Sequence, residues 1–388
     1  MNSRLKQFKG AYVVTEPGCL EISSGAYKHI QIGVQELQKY FALHTNFPEH
    51  LIHLQRQVSN GKSSANTKKN QTSYIHGTLI DLKTFLKATL RSLQLVHKLS
   101  KQDLDFVYFR ASFLDPLPLF LDFLNIPCFI EANGLQVEDR KQYYPSLLTG
   151  FNKWFERLTY SKSKHVFFIG TYGNYWELSS NNWSNVENGV ESSFLATFSN
   201  HKKQVDGKVH FAFVGRLMSH HRYQVLVSAV QNLPSEIKSK ICFHLIGSKL
   251  KIICEELKDH VETIEHGFLD RSDLSETLQQ VHVGVISGHP EYASAMKLFD
   301  YGAAKCLVLV PETHNFKCWF RTSEIEFFEP EDSSDLGSLI KKIVLKPHKY
   351  IFKGENLHQK ILRMHTWEKT FSDKSELIEK YLSLHLEK

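Results

Sequence analysis

The sequence predicts an α/β protein built from parallel sheets in two domains. Three observations carry this. Short apolar runs alternate with helical patterns, the signature of strands joined by crossover helices. The series runs twice, the second beginning near residue 209. The chain has 388 residues, more than one ordinary core fills.

In the first series, strands are expected at 11–15, 106–109, 127–131 and 165–169. Leu82, Phe85, Leu86, Leu90, Leu93, Val96 and Leu99 recur at helical spacing, so 82–100 reads as an amphipathic helix. Lys83, Lys87, Arg91 and Lys98 fall mostly between them. That pattern suits a helix packed on a sheet, the favoured reading, or one lying on a membrane. Residues 58–73 are polar and read as a flexible loop. In the second series, strands are expected at 210–214, 241–246, 284–286 and 307–310, with amphipathic helices between them. The polar stretch 198–207 suits a linker. The expected division is 1–200, 201–360 and a terminal helical segment, 361–388.

Composition excludes several classes. With 42% apolar and 23% charged residues, disorder and fibrous architectures are not expected. No run of about 18 apolar residues occurs, so no transmembrane helix is predicted. The polar, basic start lacks the apolar region of a signal peptide. The six cysteines form no CxxC, and none pairs with His at zinc spacing. A cytoplasmic location fits, with the inner face of the membrane as a candidate station. Residues 1–200 hold 21 Lys/Arg against 16 Asp/Glu, and 51–100 alone hold 8 against 1. Such an excess suits an anionic lipid, an anionic acceptor or nucleic acid, or simply a solvated helix face. Aromatic residues between 143 and 160, among them Trp154, mixed with Lys153 and Arg157, suit lipid docking or core packing.

Two stretches carry chemistry. In Phe213-Val-Gly-Arg-Leu217 a buried-type strand runs into Gly215 and Arg216, then a helix from about Tyr223. Glycine permits a close turn at a strand end, and Arg there can pair with a diphosphate. The second stretch runs from Gly288 through Tyr292, Ser294, Ala295, Met296, Lys297 and Asp300 to Ala304. A helix expected to start near Ser294 would offer its first N–H groups and dipole to an anion. Asp300, two turns on, is placed to accept from ribose hydroxyls.

At this spacing the two stretches resemble the nucleotide-sugar domain of GT-B glycosyltransferases, most of all family 4 of the retaining enzymes. Phe243-His-Leu-Ile-Gly247, Ile264-Glu-His-Gly267 and Ser294-Ala-Met-Lys-Leu-Phe-Asp-Tyr resemble that family's elements. In the first half so do Ser24-Gly25, the strand ending in Arg110, the Glu131-Ala-Asn133-Gly run with Glu138 beyond it, and Val186-Glu-Asn-Gly-Val-Glu191. His365-Thr-Trp-Glu368 resembles the opening of the returning terminal helix. The resemblance implies two Rossmann-like domains facing across a cleft, with the last helix returning to the first domain.

It also implies a UDP- or GDP-linked sugar as donor substrate, no cofactor and no metal, and retention of configuration. A saccharide or lipid-linked saccharide is the implied acceptor, in surface polysaccharide or glycoconjugate synthesis. Peripheral contact of the basic N-terminal domain with a membrane is expected, and no nucleic-acid partner. The donor set is Gly215, Arg216, His221, Arg222, Gly247, Gly267, Tyr292, Ser294, Ala295, Met296, Lys297 and Asp300. Arg216, Asn133 and Glu131 are the catalytic candidates, and Ser24, Gly25, Arg110 and Glu138 lie on the acceptor side. Glu131 suits either acceptor hydroxyls or a loop-holding carboxylate. Lys297 suits either the diphosphate or a solvated helix face. This chain departs from the family where Tyr292 replaces the first Glu of Glu-x7-Glu and Asp300 the second. His221 and Arg222 stand near the position of the motif Lys, and Asn133 stands for the cleft His. The alternative is a GT-B-shaped binding or scaffold protein with a degenerate donor site. A sugar-nucleotide epimerase would need proton-abstracting groups that cannot be placed.

Overall fold

A computed structural model of the chain describes residues 8–20, 25–47, 73–179, 182–205 and 207–386. Ser24 and residues 58–72 of the polar stretch lie outside them. Contacts divide the chain into two units: Met1–Val186 with Phe371–Lys388, and Glu187–Thr370.

The first unit holds a six-stranded parallel sheet. Its strands are β1 (Lys9–Val14), β2 (Ala42–Thr45), β3 (Phe106–Arg110), β4 (Cys128–Ala132), β5 (His165–Ile169) and β6 (Trp183–Val186), in the order β2-β1-β3-β4-β5-β6. Strands β3, β4 and β5 are buried throughout, as expected of a parallel sheet covered on both faces. The Gly25–Leu37 helix follows β1. Phe371–Lys388, which takes in the greater part of the Trp367–Leu386 helix, belongs to this unit.

The second unit holds β7 (Val209–Val214), β8 (Ile241–Ile246), β9 (Glu262–Gly267), β10 (Val283–Val285), β11 (Leu307–Pro311) and β12 (Glu326–Phe328), again parallel. The order is β12-β11-β10-β7-β8-β9. Alternation along each strand sends Phe211, Phe213, Phe243 and Leu245 to one core and Ala212, Val214 and Ile246 to the other. The helices Tyr223–Gln231 and Ser333–Leu345 cover the first face. Met296–Ala303 and Pro347–Met364 cover the second.

The division falls ahead of the polar stretch 198–207, where a linker is expected. Val190, Phe194, Leu195 and Phe198 are buried in the second unit's core, so the chain joins that unit before the polar residues begin.

The long helix of the first unit spans Tyr74–Leu99 and turns the opposite way from the sheet-packing reading. Gly77, Asp81, Ala88, Ser92 and Leu99 face inward and Val96 packs against the core, while Leu82, Leu86, Leu90 and Leu93 are exposed. The inward polar groups are paired. Asp81 accepts from Arg140 Nε at 2.8 Å and Asn152 Nδ2 at 2.7 Å, and Ser92 Oγ donates to Asp115 at 2.6 Å. Satisfied in this way, buried polar groups escape the cost of desolvation.

Candidate functional site

In the second unit, strand order reverses between β10 and β7. Open parallel sheets bind ligands at such a switch point, beyond the carboxyl ends of the strands. The two chemistry-bearing stretches follow these two strands: Gly215-Arg216 after β7, and the 288–297 segment after β10.

Three glycines line the strand ends, all at positive φ: Gly215 (122°), Gly247 (138°) and Gly267 (68°). Gly215 N–H donates to Ile246 O at 2.8 Å and Gly247 N–H to Gly267 O at 2.6 Å, which ties the ends of β7, β8 and β9 together. Space is tightest at Gly247, where a Cβ would stand 2.1 Å from Gly215 O. Backbone cannot yield there as a side chain would, and φ itself is strained for any other residue. Gly247→Ala is therefore expected to cost about 2–4 kcal/mol, from strain plus the displaced β7 turn. Chemical denaturation checks it, and an unchanged midpoint would contradict it.

The Met296–Ala303 helix is held over this end. Tyr301 lies against Gly284, where a Cβ would meet its ring at 2.3 Å. The Tyr301 hydroxyl accepts from Val214 N–H at 2.8 Å and donates to Ala212 O at 3.0 Å. Lys297 thereby reaches the β7 turn. Its Nζ stands 3.7 Å from where a Gly215 Cβ would be and 4.9 Å from the Phe213 ring centre. Nζ also lies 3.2 Å from His221 Nε2. Burial among these groups pushes the ammonium down to about 7, so Lys297 is no solvated surface lysine. Burial, then the Lys297 charge, pushes the His221 imidazole down to about 2. His221 is neutral, with Nδ1 accepting from Met218 N–H.

The structure thus brings Gly215, Gly247, Gly267, His221 and Lys297 to one end of the sheet. Arg216 follows Gly215, is exposed, and has no side-chain partner among the described residues. Arg222 turns elsewhere: its Nε is 3.1 Å from Glu331 on the surface.

Ser294 does not cap the helix. The helix begins at Met296 with Ala295 as N-cap and no side-chain cap. Ser294 Oγ instead donates to Glu187 Oε2 at 2.5 Å and accepts from Asn188 N–H at 3.2 Å. Glu187 also accepts from Asn315 Nδ2, and burial pushes its carboxyl up to about 7. The buried carboxyl takes the hydroxyl that the helix was expected to use. Among the described residues no side chain caps the first turn that opens at Met296, as an anion there would require.

Asp300 is paired rather than open. Arg271 donates to it at 2.6 Å and to Glu191 Oε2 at 2.7 Å. A ribose would have to compete with this pair. Tyr292 is partly exposed, with its ring 5.4 Å from that of His314.

In the first unit, Glu131 is fully buried. It accepts from Arg110 Nη1 at 2.8 Å, Lys374 Nζ at 2.8 Å, Tyr108 Oη at 2.7 Å and Asn133 Nδ2 at 3.2 Å. His29 Nε2 is 3.2 Å away. His29, Lys374 and Arg110 hold its carboxyl well below the usual range, against the opposing effect of burial. With its oxygens taken, Glu131 cannot meet an acceptor hydroxyl. It is the loop-holding carboxylate, and Arg110 is consumed in the same network. Asn133 is partly exposed beside it. Glu138 accepts from Tyr175 Oη at 2.6 Å. Gly25 opens the first helix.

Sequence reasoning missed His289, Arg271 and Lys374. His289 lies in the 288–297 segment with its ring 6.3 Å from that of His220, and burial holds it neutral, at about 3. Lys374 lacked any signal, since only the fold brings it to Glu131. No cysteine stands at zinc spacing from a histidine in the sequence, yet the fold brings one such group together. His210, Cys242 and His244 lie within 4.8 Å of one another, contributed by two neighbouring strands. His210 and Cys242 sit near the amino-terminal ends of β7 and β8, and His244 sits mid-strand in β8. His244 hydrogen-bonds His210 at 2.8 Å and His266 at 3.0 Å, which engages both of its ring nitrogens.

Residues 222–373 match the glycosyl transferase-like family. No curated protein matches the chain in sequence. Sucrose-phosphate synthase from Thermosynechococcus elongatus superposes with a TM-score of 0.70 at 13% identity, covering 97% of this chain and all of that one. Anabaena HepE, solved with UDP and glucose, gives 0.68 at 8% identity over 96% of this chain and all of HepE. A glycosyltransferase from Rickettsia africae gives 0.66 at 13% identity, over 97% and 98%. The fold is that of the GT-B glycosyltransferases.

Proposed function

We propose that this chain is a metal-independent, retaining glycosyltransferase that takes a UDP- or GDP-linked hexose as donor. The observation that carries the reading is the end of β7 in the second unit. There a half-buried lysine and an unengaged arginine flank a glycine turn, beside a helix start whose amides lack a cap. Those are the groups a diphosphate needs as negative charge builds on the leaving group. The complex of HepE with UDP and glucose supports a nucleotide ligand for a chain of this fold.

The chemistry breaks the bond between the anomeric carbon and the diphosphate and forms one to an acceptor oxygen, whose proton is lost. Arg216 and Lys297 stabilise the departing diphosphate, and the Met296–Ala303 helix start shares its charge. Glu131 positions the first unit's loop, with Asn133 beside it, and does no chemistry itself. The acceptor is a saccharide or lipid-linked saccharide of surface polysaccharide or glycoconjugate synthesis, met at a membrane surface.

Lys297 gives a pH test. It is cationic below about 7 and neutral above. The KM for donor is therefore expected to rise about ten-fold between pH 6 and 8, the change expected as one titrating contact is lost. Lys297→Arg keeps its charge and should flatten the profile. A profile identical in wild type and Lys297→Arg would contradict the role. The Arg271–Asp300 pair favours the rival reading, a nucleotide-binding protein without turnover. Donor consumption with an α-configured product separates the two. Nucleotide binding with no consumption of any UDP- or GDP-sugar would favour the rival.

A further inference from the structure

We infer that the Tyr74–Leu99 helix docks the first unit on an anionic lipid surface through an outward-facing leucine stripe. The inference deepens the membrane contact included in the reading above. Its test needs neither donor nor turnover, so it can fail while the transferase assignment stands.

A helix packed on a globular unit normally turns its leucines inward and its charges to water. Here most of the leucines face outward as well, with Leu99 buried. Ile75, Leu79, Leu82, Leu86, Leu90 and Leu93 fall on one face by the helical repeat and are all exposed, Leu86 at 62% and Leu90 at 63%. The inward face carries Asp81 and Ser92, each fixed by buried hydrogen bonds. Those bonds set the helix rotation, so the stripe cannot turn inward without breaking them.

The patch extends beyond one helix. Leu147 N–H donates to Thr78 Oγ1, which brings the exposed Leu147 beside the stripe. The Phe85 ring meets Phe151 at 6.4 Å, and Phe151 meets Trp154 at 5.6 Å. Both Phe151 and Trp154 are exposed. Contiguous apolar surface of this kind marks an interaction site.

Charge selects the occupant. Lys83, Lys87, Arg91 and Lys98 are exposed along the same helix, and its one carboxylate, Asp81, is buried. A cationic flank beside leucines and an amphipathic tryptophan fits anionic headgroups over an acyl boundary. Identical copies would instead set these cations against one another. None of the described helices is long and apolar enough to cross a membrane, so the helix lies along the surface.

Flotation of the full chain with vesicles of phosphatidylglycerol and phosphatidylcholine tests this, with pure phosphatidylcholine as control. Binding is expected to the anionic vesicles and to be much weaker to the neutral ones. Leu86→Glu with Leu90→Glu should abolish it and leave the melting temperature unchanged, since both side chains are already in water. Lys83→Gln and Lys87→Gln should each weaken it about five-fold. Absence of binding to anionic vesicles would overturn the proposal, as would binding that the leucine pair does not affect. A concentration-dependent dimer that the leucine pair dissolves, without vesicle binding, would assign the face to a second copy and overturn it likewise.

Discussion

Arg216→Ala is expected to lower kcat/KM for sugar transfer by about 10²–10³-fold while leaving the fold intact. The guanidinium is exposed, follows the Gly215 turn, and has no side-chain partner among the described residues. Removing it therefore breaks no contact that holds the second unit together. What is lost, on the proposed reading, is a positive charge beside the developing diphosphate, a contact worth about 3–4 kcal/mol. Thermal melting within error of wild type, together with the lost activity, would assign the effect to chemistry. Lys297 remains in the variant, so residual turnover is expected. Near-normal turnover would move the diphosphate elsewhere.

Glu131→Ala is expected to act on the fold rather than on the reaction. The carboxylate gathers Arg110, Lys374, Tyr108 and Asn133, with His29 close by, in a fully buried setting. Its removal leaves two cations buried without their counter-charge, which costs about 3–5 kcal/mol. In a unit of this size the melting temperature should fall on the order of 10 °C. Lys374 comes from the terminal segment, so the same change should loosen that segment and speed its amide exchange. A stable variant that lost only acceptor binding would restore the catalytic role that the geometry denies to Glu131.

Much of the architecture is legible in the sequence, and the reason is burial. Strands β3, β4, β5, β7, β8, β10 and β11 lie inside their sheets and read as short apolar runs bounded by turns. The edge strands are harder. In β2 and β6 every residue is at least partly exposed, and β12 has three residues, so no apolar run marks them. Edge strand β9 shows in the sequence only as the β-type stretch before Gly267. The Tyr74–Leu99 helix is legible as amphipathic, but its direction is not. Which face turns inward depends on Arg140, Asn152 and Asp115, partners remote in sequence.

The candidate site divides in the same way. Gly215, Gly247 and Gly267 are legible because strand-end glycines serve a local need, φ above zero. The fate of a polar side chain is settled by distant neighbours. Ser294 is taken by Glu187, Asp300 by Arg271, and Glu131 by Arg110 and Lys374. Local pattern cannot reveal these, since each pairing spans at least 21 residues.

The central claim is that the carboxyl end of β7, with Arg216, Lys297 and the opening turn of Met296–Ala303, holds a nucleoside diphosphate. Isothermal titration of the full chain with UDP and with GDP tests it most directly. The account predicts saturable binding of one of them, weakened at least about ten-fold in Arg216→Ala, a loss of one charge-assisted contact. Failure of both nucleotides to bind at millimolar concentration, or equal affinity in wild type and Arg216→Ala, would contradict it.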